Sequence, residues 1–310
     1  MTRPPFLLSL ATLVAFTLPS MVAHAETPTP TKPGAPLEWN DHWPRFRPAE
    51  IAFTAGLTLN VAMALFLYPD PKNNWDGPIL LDKPLRDLLT LQDRDARNVA
   101  ASVSDGIYYA LAAFPMLDTV IVAGAVHRNT DLTVQMLAIN LESYALGGAV
   151  ALSAEKAGRR RPMARTCEED PGYDKKCGNE ANLNSSFLSG HTTIGFVGAG
   201  LLCAHHLNVP LYGGGAPDTA TCIAGMSAAI TGGVLRVMSD NHYASDVVLG
   251  AGVGVAAGYL MPVLLHYGRS GGVRRESFLP HFSIPAAGAY AVVAPMAGPT
   301  QGGVSLSGAF

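Results

Sequence analysis

Three short stretches of this chain gather residue types that handle phosphate: Gly158-Arg159-Arg160-Arg161-Pro162, then Ser189-Gly190-His191, then Arg236 followed by His242 and Asp246. A transferring phosphoryl group spreads its charge over three equatorial oxygens, a geometry that the planar guanidinium fork matches. Arg159, Arg160, Arg161 and Arg236 are therefore candidate phosphate ligands. The arginine triplet reads equally as a cluster flanking a membrane span, whereas Arg236 sits in the apolar run 231–238, where an unpaired charge is costly. His242 and Asp246 are four apart and share one face if the chain is helical there, so the carboxylate would hold the imidazole in one tautomer. Ser189-Gly190-His191 opens an apolar stretch and reads as a helix start: either an ordinary cap or a set of free N–H groups that attracts an anion.

The elements that must position these groups are apolar. The chain is 48% hydrophobic and only 15% charged, against about 25% charged in a typical soluble domain. Six stretches reach helix-spanning length: 50–68, 103–126, 132–153, 192–207, 221–238 and 247–267. Gly, Ala and Ser are abundant in the last three, which suits close helix packing in a bilayer. Asp118 and Glu142 fall in the second and third, so each must face the bundle interior or find a partner. The alternative is a soluble bundle in which these helices are buried by protein.

Residues 1–25 have the layout of a secretory signal peptide, with Arg3, an apolar run over 6–18 and Ala23-His24-Ala25 at the cleavage position. Residues 26–48 then form a Pro- and Thr-rich tether, 49–270 the helical domain with its motif core over 154–246, and 271–310 a tail with a small β-hairpin over 289–296 and 303–310. The insert 163–186 lacks apolar periodicity and is expected to form a loop over the pocket mouth that shapes substrate choice. Within it, Cys167 and Cys177 could close a small loop in an oxidising space or stay free, while Cys203 and Cys222 lie in apolar runs and read as small buried hydrophobes. The net charge of −3 and the absence of a basic stripe give no sign of nucleic acid.

Read jointly, the blocks resemble the signature of the type 2 phosphatidic acid phosphatase superfamily, which also holds class A acid phosphatases and vanadium haloperoxidases. That signature is a Lys, six residues and Arg-Pro; then Ser-Gly-His; then Arg, five residues, His, three residues and Asp. Arg161-Pro162, Ser189-Gly190-His191 and Arg236-x5-His242-x3-Asp246 match in order. The chain departs at Ala154, where the family has Lys, at Leu188 in place of Pro and at Leu235 in place of Ser.

The resemblance implies an all-α bundle, here with about six membrane-spanning helices, and a metal-independent phosphatase with no cofactor. His242 would be the nucleophile, Asp246 would orient it, and His191 would be the acid and base. Arg161, Arg236, Ser189 and Gly190 would bind phosphate, with Arg159 or Lys156 filling the place of the absent Lys. The substrate would be a lipid phosphate or another phosphomonoester or diphosphate. Two alternatives are a vanadium-dependent haloperoxidase and a member of the fold that has lost activity.

Location is expected at an inner membrane, multi-pass, with the site facing the periplasm, or else as a soluble periplasmic protein. Arg269, Arg274 and Arg275 favour a cytoplasmic tail, whereas Lys72, Lys83, Arg86, Arg94 and Arg97 weigh the other way.

Overall fold

The computed structural model describes residues 37–268 together with the backbone of 290–297 and 302–309. The signal peptide and residues 26–36 of the tether expected from the sequence lie outside the described residues. Nine α-helices are described: α1 (Pro48–Phe66), α2 (Asp82–Leu89), α3 (Arg94–Asp118), α4 (Thr130–Glu155), α5 (Ala164–Glu169), α6 (Glu180–Leu183), α7 (Gly190–Asn208), α8 (Ala216–Met238) and α9 (Ala244–Val255). A π-helical stretch, Thr119–Val126, prolongs α3, and two more, Ala256–Leu260 and Val263–Tyr267, prolong α9.

All six apolar stretches are helical, yet among the described residues five helices, not six, are long and apolar enough to cross a membrane: α1, α3, α4, α8 and α9, with the π-helical extensions of α3 and α9 included. The sixth, α7, is the hub. It packs against α3, α4, α8 and α9, and its residues are buried almost without a break from Thr192 to His206. Protein surrounds it, so its sequence can carry glycines and histidines where the outer helices carry Ile51, Phe53, Phe114, Ile223 and Val248 on exposed faces.

Close approach at the hub depends on missing side chains. A Cβ built on Gly198 of α7 would lie 2.1 Å from the Leu111 carbonyl oxygen of α3, and one on Gly258, beyond α9, would lie 2.2 Å from that of Val197. Buried polar groups at the far end of α7 are paired, as the apolar surroundings require. His206 bonds both Asp218 (2.6 Å) and Asp118 (3.2 Å), and His266 bonds Glu142 (3.1 Å). Cys203 and Cys222 are not free hydrophobes: a disulfide ties α7 to α8 where their Cα atoms come within 4.3 Å.

Loops 67–93, 156–189 and 239–243 meet at one end of the bundle, joined by Arg160 N to Trp75 O (2.8 Å), Leu91 N to Met238 O (3.0 Å) and Ser189 N to Asp246 O (3.3 Å). Gly158 makes the turn into this end, with φ +72° and the Lys72 carbonyl where a Cβ would sit. Arg159, which follows, is fully buried and reaches two carboxylates, Asp82 of α2 (2.7 Å) and Asp246 of α9 (2.5 Å). Its guanidinium lies between the rings of Trp75 and Tyr243, 4.5 and 4.4 Å from their centroids.

The C-terminal unit, Gly271–Phe310, is separate from the unit that holds the bundle. The β-hairpin expected there is not supported as part of the fold: 269–289 and 298–301 lie outside the described residues, and only the backbone pairing of Tyr290–Ala297 with Gly302–Ala309 is seen.

Two outcomes test this packing. Gly258→Ala should destabilise the bundle by about 1–3 kcal/mol, whereas Gly252→Ala, with nothing within 4 Å of its Cβ, should be neutral or slightly stabilising in a thermal melt in detergent. Arg159→Ala strands two buried carboxylates and should cost about 3–5 kcal/mol in the same melt.

Candidate active site

His242 stands one residue before Tyr243, the N-cap of α9, so it is not helical and its spacing to Asp246 does not align the two side chains. Asp246 turns back into the first turn instead. Its Oδ2 accepts from the Tyr243 N–H (3.1 Å) and the Ser186 hydroxyl (2.6 Å), and its Oδ1 accepts from Arg159. The expected direct contact with His242 is not made. The His242 Nδ1 lies 2.8 Å from the Ser186 carbonyl oxygen. A carbonyl can only accept, so Nδ1 carries the proton and Nε2 keeps the lone pair. Asp246 thus holds the Ser186 hydroxyl, and the Ser186 carbonyl sets the tautomer of the ring. Burial, then the positive charges of Arg161 and Arg236, hold the His242 pKa well below its ordinary value and keep the ring neutral.

Arg161 points Nη1 at His242 Nε2 across 3.4 Å. It also donates to the Asn182 carbonyl (2.6 Å), the Asn241 carbonyl (2.9 Å) and the Ser185 hydroxyl (3.0 Å). No carboxylate pairs with it among the described residues, and burial followed by the nearby Arg236 lowers its pKa to about 10. Arg236 is 4% exposed, and its Nε is buried without a partner among the described residues. Both guanidiniums therefore retain unmet demand for an anion.

His191 begins α7 one residue after Gly190, with its Nε2 3.1 Å from Asp105 Oδ1 and its ring against Tyr108 (4.6 Å between centroids). Asp105 also accepts from Arg236 Nη1 at 2.8 Å. With a third of its side chain exposed, His191 marks the open side of the site. Ser189 caps α7: its hydroxyl oxygen accepts from the Thr192 hydroxyl (2.9 Å), which leaves its own O–H to donate. Space lies open in front of Gly190, whose N–H belongs to the first turn and has no partner within the helix.

The structure thus assembles His242, His191, Arg161, Arg236, Ser189 and Gly190 at one end of the bundle and holds Asp246 behind Ser186. It removes the two stand-ins for the absent Lys. Arg159 is engaged by Asp82 and Asp246 and serves the scaffold. Lys156 caps α4 through its backbone N–H, and its side chain makes no hydrogen bond or ion pair among the described residues. Arg160 pairs with Glu168 near the surface.

Four groups at the site escaped the motif reading. Asp105 could have been suspected as an acid within an apolar stretch, on the same ground as Asp118. Ser186 and Asn241 carry no signal, because a backbone carbonyl and a neighbouring amide act there. Lys176, whose Nζ donates to the Asn241 side chain, comes from the insert, where charge reads as a solvated loop.

No curated protein and no solved structure matches the chain. Residues 136–269 match the family model of the PAP2 superfamily. That span holds all three motif blocks and the helices α7, α8 and α9 that carry the last two.

Proposed function

We propose that the protein is a phosphatase that cleaves phosphomonoester or diphosphate groups from membrane lipids through a phosphohistidine on His242. The observation that carries this reading is the state of that ring, with Nδ1–H tied to the Ser186 carbonyl and the Nε2 lone pair facing Arg161. Nε2 attacks phosphorus, and the bond from phosphorus to the leaving oxygen breaks as that oxygen takes a proton from His191. Water then gives its proton to His191 and attacks phosphorus, the P–N bond breaks, and inorganic phosphate departs. Arg161, Arg236, the Ser189 hydroxyl and the Gly190 N–H neutralise the equatorial oxygens in both steps. Positive charge that develops on the phosphorylated ring is carried by Nδ1–H toward Ser186, behind which stands the Asp246 carboxylate.

A lipid substrate fits a site at the end of five apolar helices whose outer faces carry exposed Phe, Leu, Ile and Val. An amphiphile can reach the arginines with its headgroup while its chains stay beside the bundle. An oxidising compartment is supported by the Cys167–Cys177 disulfide at the site's own end. The cations over 69–98 that weighed against this side are partly engaged in the fold: Arg86 forms two 2.7 Å bonds to Asp240, and Arg97 donates to the Leu91, Gln92 and Tyr173 carbonyls. We assign the site to the periplasmic face of an inner membrane.

With EDTA present, phosphate release from phosphatidate, a prenyl diphosphate or p-nitrophenyl phosphate should fall by about 10⁴- to 10⁶-fold in His242→Ala, together with loss of an acid-labile phosphoenzyme. Wild-type rates in that variant would sink the mechanism. Halide oxidation with vanadate and peroxide, in place of phosphate release, would move the protein to the haloperoxidase branch.

A further inference from the structure

We propose that Lys176, presented by the loop that the Cys167–Cys177 disulfide closes, binds the non-bridging phosphate oxygens in the role that a helical Lys at position 154 would fill. The inference rests on the phosphatase reading and adds a residue outside all three motif blocks. Ala154 offers no charge, and Lys156 makes no bond to the pocket. Lys176 instead places Nζ on the side-chain oxygen of Asn241, whose carbonyl accepts from Arg161 and whose neighbour is His242. The lysine and the arginine are thereby held on one residue beside the nucleophile.

The loop is built to hold this position. The disulfide bond, with Cα atoms 5.3 Å apart, sits at the residue after Lys176, and the Lys176 N–H donates to Asp174 Oδ1 at 2.8 Å. Three residues earlier, the Tyr173 carbonyl accepts from Arg97 Nη2 (2.9 Å), its ring lies under the Arg97 guanidinium at 3.8 Å, and its hydroxyl donates to Asp240 (3.1 Å). Asp240 is in turn gripped by Arg86, so the loop is pinned to the same turn that carries Asn241 and His242. Lys175 beside it is exposed, whereas Lys176 is half-buried.

Electrostatics give the placement a direction. Burial, then Arg161 and Arg236, lower the Lys176 pKa to about 7, while Asp174 and Asp105 oppose that shift, and His191 shares the same field. Three cations around one space repel each other until an anion enters, and a phosphate group would relieve that repulsion and hold the ammonium protonated. A lysine that served only to close the loop would gain nothing from standing in the field of two arginines.

The test uses the full-length protein in detergent and compares wild type with Lys176→Ala, Lys176→Arg, Lys176→Ala combined with Ala154→Lys, and a Cys167→Ser/Cys177→Ser pair. Orthovanadate affinity by calorimetry and kcat/KM on p-nitrophenyl phosphate across pH are the readouts. Lys176→Ala should weaken vanadate binding and lower kcat/KM by about 10²-fold, the scale of one lost charge-stabilising donor. In wild type kcat/KM should fall as pH rises through about 7, where the free ammonium loses its proton, and this limb should move upward in Lys176→Arg. The cysteine pair should repeat the loss in the wild-type background and add little once Lys176 is gone. Unchanged vanadate affinity in Lys176→Ala, or a loss that neither Lys176→Arg nor Ala154→Lys restores, would overturn the assignment. Vanadate binding that depends on Lys176 without turnover of any ester would keep this assignment and sink the phosphatase reading alone.

Discussion

Arg159 between Asp82 and Asp246 is the contact from which the active end of the molecule is hung. All three side chains are removed from water, and one guanidinium answers two carboxylates from different helices. A lysine could not do the same, because its ammonium is a point charge with no planar face to lie between Trp75 and Tyr243. Asp82 in turn accepts the Ser245 N–H at 2.8 Å, so an acid from α2 satisfies the first turn of α9. Asp246 accepts from Ser186, and Ser186 fixes the tautomer of His242. The His242 ring is therefore aimed through a chain of buried polar contacts that begins at an arginine engaged by two carboxylates. A buried ion pair of this kind contributes little net stability; its value is that few other arrangements satisfy all three charges at once.

The second positional constraint is α7. His191 projects from its first turn, and the helix behind it is gripped on four sides, with glycines at the places where α3 and the extension of α9 come closest. His191 is thus mounted on the most enclosed helix of the bundle, while His242 is mounted on a five-residue turn held by Arg86 and Arg159. Both are supported by elements that packing, not local propensity, keeps in place.

What could be read from the sequence follows from what each signal measures. Apolar length found every long helix, because hydropathy reports burial from water, but it could not separate α7, buried by protein, from neighbours with exposed apolar faces. The motif spacing singled out His242, His191, Arg161 and Arg236, which the fold brings to one end of the bundle. It misplaced Asp246 by treating a spacing of four as helical when the helix begins only at Ala244. It also counted Arg159 among the phosphate ligands, because adjacent arginines look alike until a fold gives one of them carboxylate partners. Cys203 and Cys222 were legible as buried and not as bonded, since their pairing depends on α7 and α8 lying side by side.

Charge balance connects these errors. The site end holds Arg86, Arg97, Arg159, Arg161, Arg236 and Lys176, a density of cations that looks uniform in the sequence. Asp240, the Leu91, Gln92 and Tyr173 carbonyls, and the Asp82–Asp246 pair claim the first three. Asp105 takes one face of Arg236 and shares itself with His191. The positive charge left without a carboxylate of its own, on Arg161 and on the remaining nitrogens of Arg236, surrounds the lone pair of His242 from the side that opens at His191. A carboxylate of the chain placed there would pair with Arg161 and occupy the space in front of His242 Nε2. Asp82, Asp240 and Asp246 are engaged by Arg159 and Arg86, and Asp105 by Arg236 and His191, so the charge of Arg161 is left to an anion from outside the chain.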